Sequence, residues 1–472
     1  MENCNLSSLP NEVGELISLE TLDLGRNNLL ITLPDGLCNL TRLKELYLTD
    51  CNVSHLPSEV GRLISLETLD LGGNNMRTLP DCICDLTCLK ELKLNDCNVT
   101  HLPSEIGRLI SLQTLDLARN NLLTLPDSIC NLACLKELYL RHCNVSHLPG
   151  GIGMLSLLTH LDLESNNVCS LPNSFSDLAS LEVLNLSNCG RLQSLPELPV
   201  TLRSMDASYC TLLESIPTAF NWQAGICMYL PGCNMLAKNN FANNAIERFG
   251  QYKEWSGLLD AGIYLCGDEV PNWIQHRFTG SKVSLAVPPR RILGWILCMV
   301  FKTHEIHGEF SSIKIDCNKT NSVIYMKELK YHHRDQMIIH FFPTAPFIGP
   351  NFYGEGELEI EISPYDPEKR EPWLTVKKCG INLIYEDDGD NKETNGLLVH
   401  ERVQLSHHQK SKNSAPPVLR RDETLVFARS PTTQHQQSKS SAPPFENSRT
   451  PLELSRFEKS PLDALSSSIR LT

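Results

Sequence analysis

No stretch of these 472 residues is apolar for long enough to span a bilayer. The longest run, ILGWILCMVF at 292–301, falls short of the ~20 residues a spanning helix needs and reads instead as a buried strand. The opening MENCNLSSLP has neither the basic nor the apolar region of a secretory signal, so an intracellular site, cytoplasm or nucleus, is expected. N-x-S/T triplets at Asn39, Asn52, Asn98, Asn144 and Asn185 lean the other way, although such triplets often arise by chance. Basic residues are scarce where a nucleic acid would need them. Residues 1–220 hold 13 Lys and Arg against 26 Asp and Glu, so the whole net charge of −13 sits there and no nucleic-acid partner is expected. No G-x-x-x-x-G-K-[ST] loop occurs and no acid, base and nucleophile can be gathered, so neither an enzyme nor a cofactor is expected.

What is abundant is leucine at fixed intervals. Leu22-Asp-Leu24 returns as Leu46-Tyr-Leu48, Leu69-Asp-Leu71, Leu92-Lys-Leu94, Leu115-Asp-Leu117, Leu138-Tyr-Leu140, Leu161-Asp-Leu163 and Leu184-Asn-Leu186. The first step is 24 residues and the others are 23. Each unit reads L-x-x-L-x-L-x-x-(N/C)-x-(L/V/M)-x-x-L-P-x-x-(I/V/L/F), which matches the leucine-rich repeat. The alternation x-L-x-L makes a short strand with one buried face, and Leu-Pro turns the chain because proline cannot continue a ladder. One turn cannot bury its own leucines. Stacked turns can, so the pattern predicts an α/β solenoid over 1–218 with a parallel sheet on its concave face.

The residue after each strand alternates: Asn27, Cys51, Asn74, Cys97, Asn120, Cys143, Asn166, Cys189. The unit is therefore a double turn of 46 residues, with Asn satisfying backbone groups in the bend and the small, easily buried Cys filling the same slot. Adjacent strands lie about 4.8 Å apart, so thiols two turns apart are about 10 Å from each other. That is beyond the ~7 Å Cα separation a disulfide tolerates and beyond the reach of a shared ion. The same argument covers His55, His101 and His147. Cys82, Cys84 and Cys88 have a metal-like spacing, but two of them recur as ordinary repeat positions, so no metal is expected. Cys189 and Cys210 occupy successive turns, and reduced thiols are expected there too.

Side chains flanking the strand leucines point to solvent on the concave sheet. The candidate contacts for a protein ligand are Tyr47, Lys93, Tyr139, Arg141 and His142, with the row Asp70, Asp116 and Asp162, since exposed Tyr and Arg commonly anchor interfaces. The competing reading of the Asp row is a plain polar outer face. The first turn has no polar cap over Leu6, Leu9 and Val13, which predicts the back end of a longer protein or a truncated relative of one, and poor solubility of the chain alone.

From Phe220 tryptophan enters and the leucine period stops. Residues 219–263 read as a connector. Strand patterns appear at 282–287, 292–301, 312–317, 323–329, 336–342, 357–363 and 374–386, and ELEIEIS (357–363) puts Leu358, Ile360 and Ile362 inside and three glutamates outside. These predict an all-β antiparallel sandwich over 264–388. Residues 389–472 turn to Ser, Pro and Gln, which predicts a disordered tail; KSKNSAPP and QSKSSAPP are duplicated in it, and Ser430, Thr450 and Ser460 precede proline.

YLCGDEVPNWIQHRFTGSKVSLAVPP (264–289) together with VKKCGINLIYEDD (376–388) resembles the domain after the repeats in plant Toll/interleukin-receptor-type nucleotide-binding leucine-rich-repeat immune receptors. The matching positions include Gly267, Glu269, Pro271, Trp273, Gly280, Cys379 and Gly380; Cys266 and Asp268 depart from the family's proline and serine. The resemblance implies a jelly-roll or Ig-like domain and a sensing role, in which repeats and β domain hold a pathogen effector or host protein beside upstream receptor domains. It also implies a nucleotide switch and an NAD-cleaving signalling domain that have no counterpart in these letters. The alternative is an intracellular scaffold of the L-P-x-x-I type, organising small GTPases, which would carry no such β domain.

Overall fold

The structure, a computed structural model, describes residues 1–217, 225–239, 241, 261–303, 312–317, 322–326, 335–343, 353–365 and 374–385. The expected tail lies outside the described residues.

Each repeat contributes a three-residue strand: β1 (Thr21–Asp23), β2 (Glu45–Tyr47), β3 (Thr68–Asp70), β4 (Glu91–Lys93), β5 (Thr114–Asp116), β6 (Glu137–Tyr139), β7 (His160–Asp162), β8 (Val183–Asn185) and β9 (Ser204–Asp206). Neighbours pair in parallel and in strict register, Leu22 on Leu46 through Leu184 on Met205. Those central leucines are buried, so the strand residues on either side share the opposite, concave face. On the return path Leu-Pro starts a single 3-10 turn, five residues long at Asp81–Asp85 and three at Val60–Arg62 and Ile106–Arg108. The first two turns, Asn11–Glu15 and Asp35–Asn39, are both long; from Asp35–Asn39 to Asn173–Asp177 long and short forms alternate, so the double turn shows in the backbone as well as in the letters. At the first turn Val13 is buried, whereas Leu6 and Leu9 are only partly covered and Leu16 and Ile17 are exposed.

The ladder does not stop where the leucine period does. A tenth strand, β10 (Cys227–Tyr229), pairs in parallel with β9, inside the segment read as a connector, and β11 (Ala261–Cys266) pairs in parallel with β10. The short α1 (Asn234–Lys238) lies between them. From β11 the pairing turns antiparallel: β11 with β16 (Gln336–Pro343), β16 with β13 (Lys282–Thr303), β13 with β18 (Leu374–Tyr385), and β18 with β12 (His276–Thr279). One sheet thus runs from the first repeat into the β domain.

The strands expected separately at 282–287 and 292–301 form a single 22-residue strand, β13. Its register slips between Val287 and Arg290, and its first half leaves for a second sheet with β17 (Tyr353–Tyr365), β14 (Ser312–Cys317) and β15 (Ser322–Met326). Between the sheets lie Trp295, Leu297, Met299 and Phe301 of β13 with Leu358, Ile360 and Ile362 of β17. The alternate residues Ile296, Cys298 and Val300 join the solenoid's own core. ILGWILCMVF is apolar throughout because both of its faces are covered.

Candidate functional site

The third strand positions form one row across the concave face: Asp23, Tyr47, Asp70, Lys93, Asp116, Tyr139 and Asp162. The first positions form a second row on the same face, in which Glu45, Glu91 and Glu137 recur on alternate turns. Those glutamates were missed as candidates. The signal was present, because x-L-x alternation exposes both flanking positions equally. Arg141 sits two residues beyond β6 and is half-buried; His142 is exposed at φ 56°, in the left-handed turn conformation that Arg26, Asp50, Asp96 and Arg119 also adopt.

The aspartates have work in their own turns. Oδ1 of Asp23, Asp70, Asp116 and Asp162 accepts the N–H of Gly25, Gly72, Ala118 and Glu164 at 2.9, 3.0, 2.9 and 3.0 Å. Asn185 makes the same bond to the Ser187 N–H at 3.0 Å. Each side chain caps its strand end, and in Asp23, Asp70 and Asp116 this uses one carboxylate oxygen and leaves the second for other use. Exposure changes along the row: Asp70 and Asp116 are half-buried, whereas Asp162, Asn185 and Asp206 are buried. The open part of the face therefore spans β1 to β6.

Within that field the polar groups pair. Lys93 Nζ donates to Glu91 Oε1 at 2.7 Å, and Tyr139 Oη donates to Glu137 Oε2 at 3.2 Å. Burial alone would lower the Lys93 ammonium, but the Glu91 hydrogen bond and the charges of Glu91, Asp70 and Asp116 outweigh it and hold it above its ordinary value. Burial raises the Asp116 carboxyl despite the Ala118 N–H, Arg141 and Lys93. Burial and the charges of Glu45 and Glu91 raise the Tyr47 phenol. The centre of the field is thus partly dehydrated before any partner arrives.

Behind the face runs the Asn/Cys ladder. Asn120 Oδ1 accepts from the N–H groups of Cys97 and Val99 at 3.2 and 2.8 Å, while its Nδ2 donates to Leu94 O and Leu117 O at 2.8 and 2.7 Å. Asn27 repeats the whole pattern, accepting from Cys4 and Leu6, whereas Asn74 and Asn166 make the same two donations and, among the described residues, accept from Val53 and Val145 alone. Cysteine does something different. The thiols of Cys51, Cys97, Cys143 and Cys189 donate to Leu24 O, Leu71 O, Leu117 O and Leu163 O at 3.2, 2.9, 2.9 and 3.2 Å. Those four carbonyls are the ones the asparagines of their own turns already use, so each takes two donors. Burial pushes the Cys97, Cys143 and Cys189 thiols up to about 12, which keeps the donating proton in place. In the CICDLTC stretch Cys84 is buried, Cys82 donates to Ser58 O at 3.0 Å and Cys88 is exposed.

In the β domain the two halves of the resemblance motif meet at one corner. A Cβ on Gly380 would come within 2.6 Å of Ile274 and 2.8 Å of Val270, so only glycine lets the 270–274 segment lie against β18. Pro271 is buried and its carbonyl accepts the Ile274 N–H at 3.1 Å. Asn382, absent from the candidate set, pins the corner: Oδ1 accepts the Gln275 N–H at 2.6 Å and Nδ2 donates to Trp273 O at 3.2 Å. Trp273 is half-buried against the solenoid core, Cys379 lies between the two sheets, and Lys378 holds the exposed Glu269. Gly267 lies against Met337, and Gly280, at φ 83°, turns the chain from β12 into β13. Of the seven candidates, Pro271, Trp273 and Gly380 meet at this corner.

Among the described residues no group of three or more His, Cys, Asp or Glu could hold a metal ion, and no helix is long and apolar enough to cross a membrane. Residues 35–95 and 82–143 match the family model "Leucine-rich repeat region", 135–190 and 18–40 match two further leucine-rich-repeat models, and 265–390 match the "C-JID domain". The inactive disease resistance protein RPS4 of Arabidopsis thaliana is 27% identical over 258 residues, covering 50% of this chain and 20% of that protein. Disease resistance protein RPP2B of the same plant is 28% identical over 268 residues, covering 45% and 22%. The chain spans about a fifth of the length of these relatives. Among solved structures, a TDR receptor overlaps 47% of this chain and 40% of its own at 28% identity and a TM-score of 0.41. The chain carries the leucine-rich repeats and C-JID domain found together in Toll/interleukin-receptor-type nucleotide-binding leucine-rich-repeat disease resistance proteins.

Proposed function

We propose that this chain is a protein-recognition module of plant immunity, holding a pathogen effector or a host protein on its concave face. The observation that carries the reading is the open field from β1 to β6, with two tyrosines set among paired charges beside a β domain built on the same sheet. Residues of this kind give interfaces their anchors, while the partly dehydrated centre lowers the cost of covering them. The leucine-rich-repeat and C-JID matches support recognition over catalysis, and the resistance-protein relatives support an immune setting. The β domain also weighs against a general L-P-x-x-I scaffold for small GTPases. Co-purification from infected plant tissue tests the reading, with the intact chain set against a Tyr47→Ala, Tyr139→Ala, Arg141→Ala variant. Loss of a specific partner from the variant is expected; equal recovery of every partner would remove the concave face from the account.

A further inference from the structure

We infer that the open concave field takes an extended cationic segment in the polyproline II conformation, with a basic side chain at every third residue. This deepens the recognition reading and rests on it. Strands β1 to β6 present six carboxylates and one cation, Lys93, on this face, and Arg141 just beyond β6 adds a second cation near Asp116. Lys93 is already held by Glu91, and six negative charges against two positive leave the field complementary to a positive ligand.

Spacing decides the ligand's form. Asp23, Asp70 and Asp116 lie on every second strand, and two strand spacings come to about 9.6 Å. A polyproline II helix turns once in three residues and rises about 9.3 Å in doing so, which returns a side chain to the same face at nearly that interval. A β-strand returns every ~6.8 Å and falls out of step at once. A helix with a seven-residue repeat rises about 10.5 Å and drifts by ~1 Å at each step. Tyr47 lies between Asp23 and Asp70, where an intervening proline can rest on its ring. Tyr139 holds the equivalent place beyond Asp116. In each of the three aspartates one oxygen caps the turn, and the other takes no hydrogen bond from the described residues. The five strand intervals of the field span about 24 Å, which suits a segment of about eight residues.

The test uses the full chain and two acetylated nonapeptides of one composition, a threefold Pro-Pro-Lys repeat and an isomer with its three lysines contiguous. The repeat is expected to bind about tenfold tighter at low salt, and the difference is expected to shrink as ionic strength passes ~0.15 M. In Asp70→Asn/Asp116→Asn the preference is expected to vanish while the fold stands, because Asn185 already makes the same turn bond. Equal affinities for the two peptides, an unchanged preference in that variant, or no binding of either at about 1 mM would each overturn the inference. None of these results touches the tissue co-purification, so failure of the spacing argument and failure of the concave reading stay distinguishable.

Discussion

Asn120 and Cys97 stand at equivalent places in successive turns, yet their removal should differ in cost. Asn120→Ala would strand the N–H groups of Cys97 and Val99 and take a donor from two carbonyls, all buried. A loss of about 3 kcal/mol is expected, since unmet buried groups cost about 1–3 kcal/mol each and partial relaxation recovers some of it. Cys97→Ala removes one thiol donor from Leu71 O, which keeps Asn74, and should cost about 1 kcal/mol. Urea midpoints of the two variants check the ratio. The thiols also set a pH limit. Their folded values near 12 stand above the ordinary 9.0, so their stabilisation holds below pH 9 and drains as pH rises from 9 toward 12. The slope is about 1.4 kcal/mol per pH unit per thiol. A Cys97→Ala/Cys143→Ala variant should therefore lose less stability than the parent between pH 9 and 10.5, by the same urea measurement. At pH 8, alkylation of the folded chain should reach the exposed Cys4, Cys88 and Cys169 well before Cys97, Cys143 or Cys189, read by mass spectrometry.

Among elements, the return path of each double turn depends on how closely its 3-10 turns approach. Gly107 lies so near the next turn that a Cβ there would fall 2.1 Å from Ser128 O and 2.9 Å from the Asn131 Cβ. Gly61 and Gly153 repeat the contact 46 residues away on either side. The obstacle is backbone, so Gly107→Ala has to move a whole turn. A loss of about 2 kcal/mol, typical of overpacking, is expected in thermal unfolding, and a neutral result would show that the stack yields easily. Here the sequence was only half legible. The spacing predicted short return segments, and ELEIEIS predicted its own alternation correctly. The separate strand patterns at 282–287 and 292–301 left a break at 288–291, whereas β13 runs through that point by changing sheets.

For the whole molecule, the sheet that runs from the repeats into the β domain is expected to make the two unfold as one cooperative structure. Tyr229, in the concave row of the tenth strand, stacks on Tyr264 with ring centroids 4.5 Å apart, and Tyr264 is part of the core between the two β-domain sheets. No tryptophan precedes residue 222, so tryptophan fluorescence reports only on the region C-terminal to the repeats, while far-UV circular dichroism is weighted toward the long solenoid. The two signals should unfold together. Tyr264→Ala should shift both midpoints by a common amount, about 3 kcal/mol for a buried aromatic. Separate transitions would mean that the junction transmits little.

The letters alone determined the solenoid, its strand register, its buried leucines and the 46-residue double turn, because each of these comes from local spacing. Alternation about a buried leucine also marks which strand positions share the concave side, but it does not show that Asp162 is buried there while Asp70 and Asp116 are half-buried. Tertiary structure decided the rest. That β10 and β11 extend the repeat ladder into the β domain, that β13 serves two sheets, and that Asn382 ties the 270–276 corner are consequences of pairings between residues far apart in sequence. No local pattern encodes such pairings, because a strand's partner is selected by which apolar faces remain uncovered once the chain has collapsed.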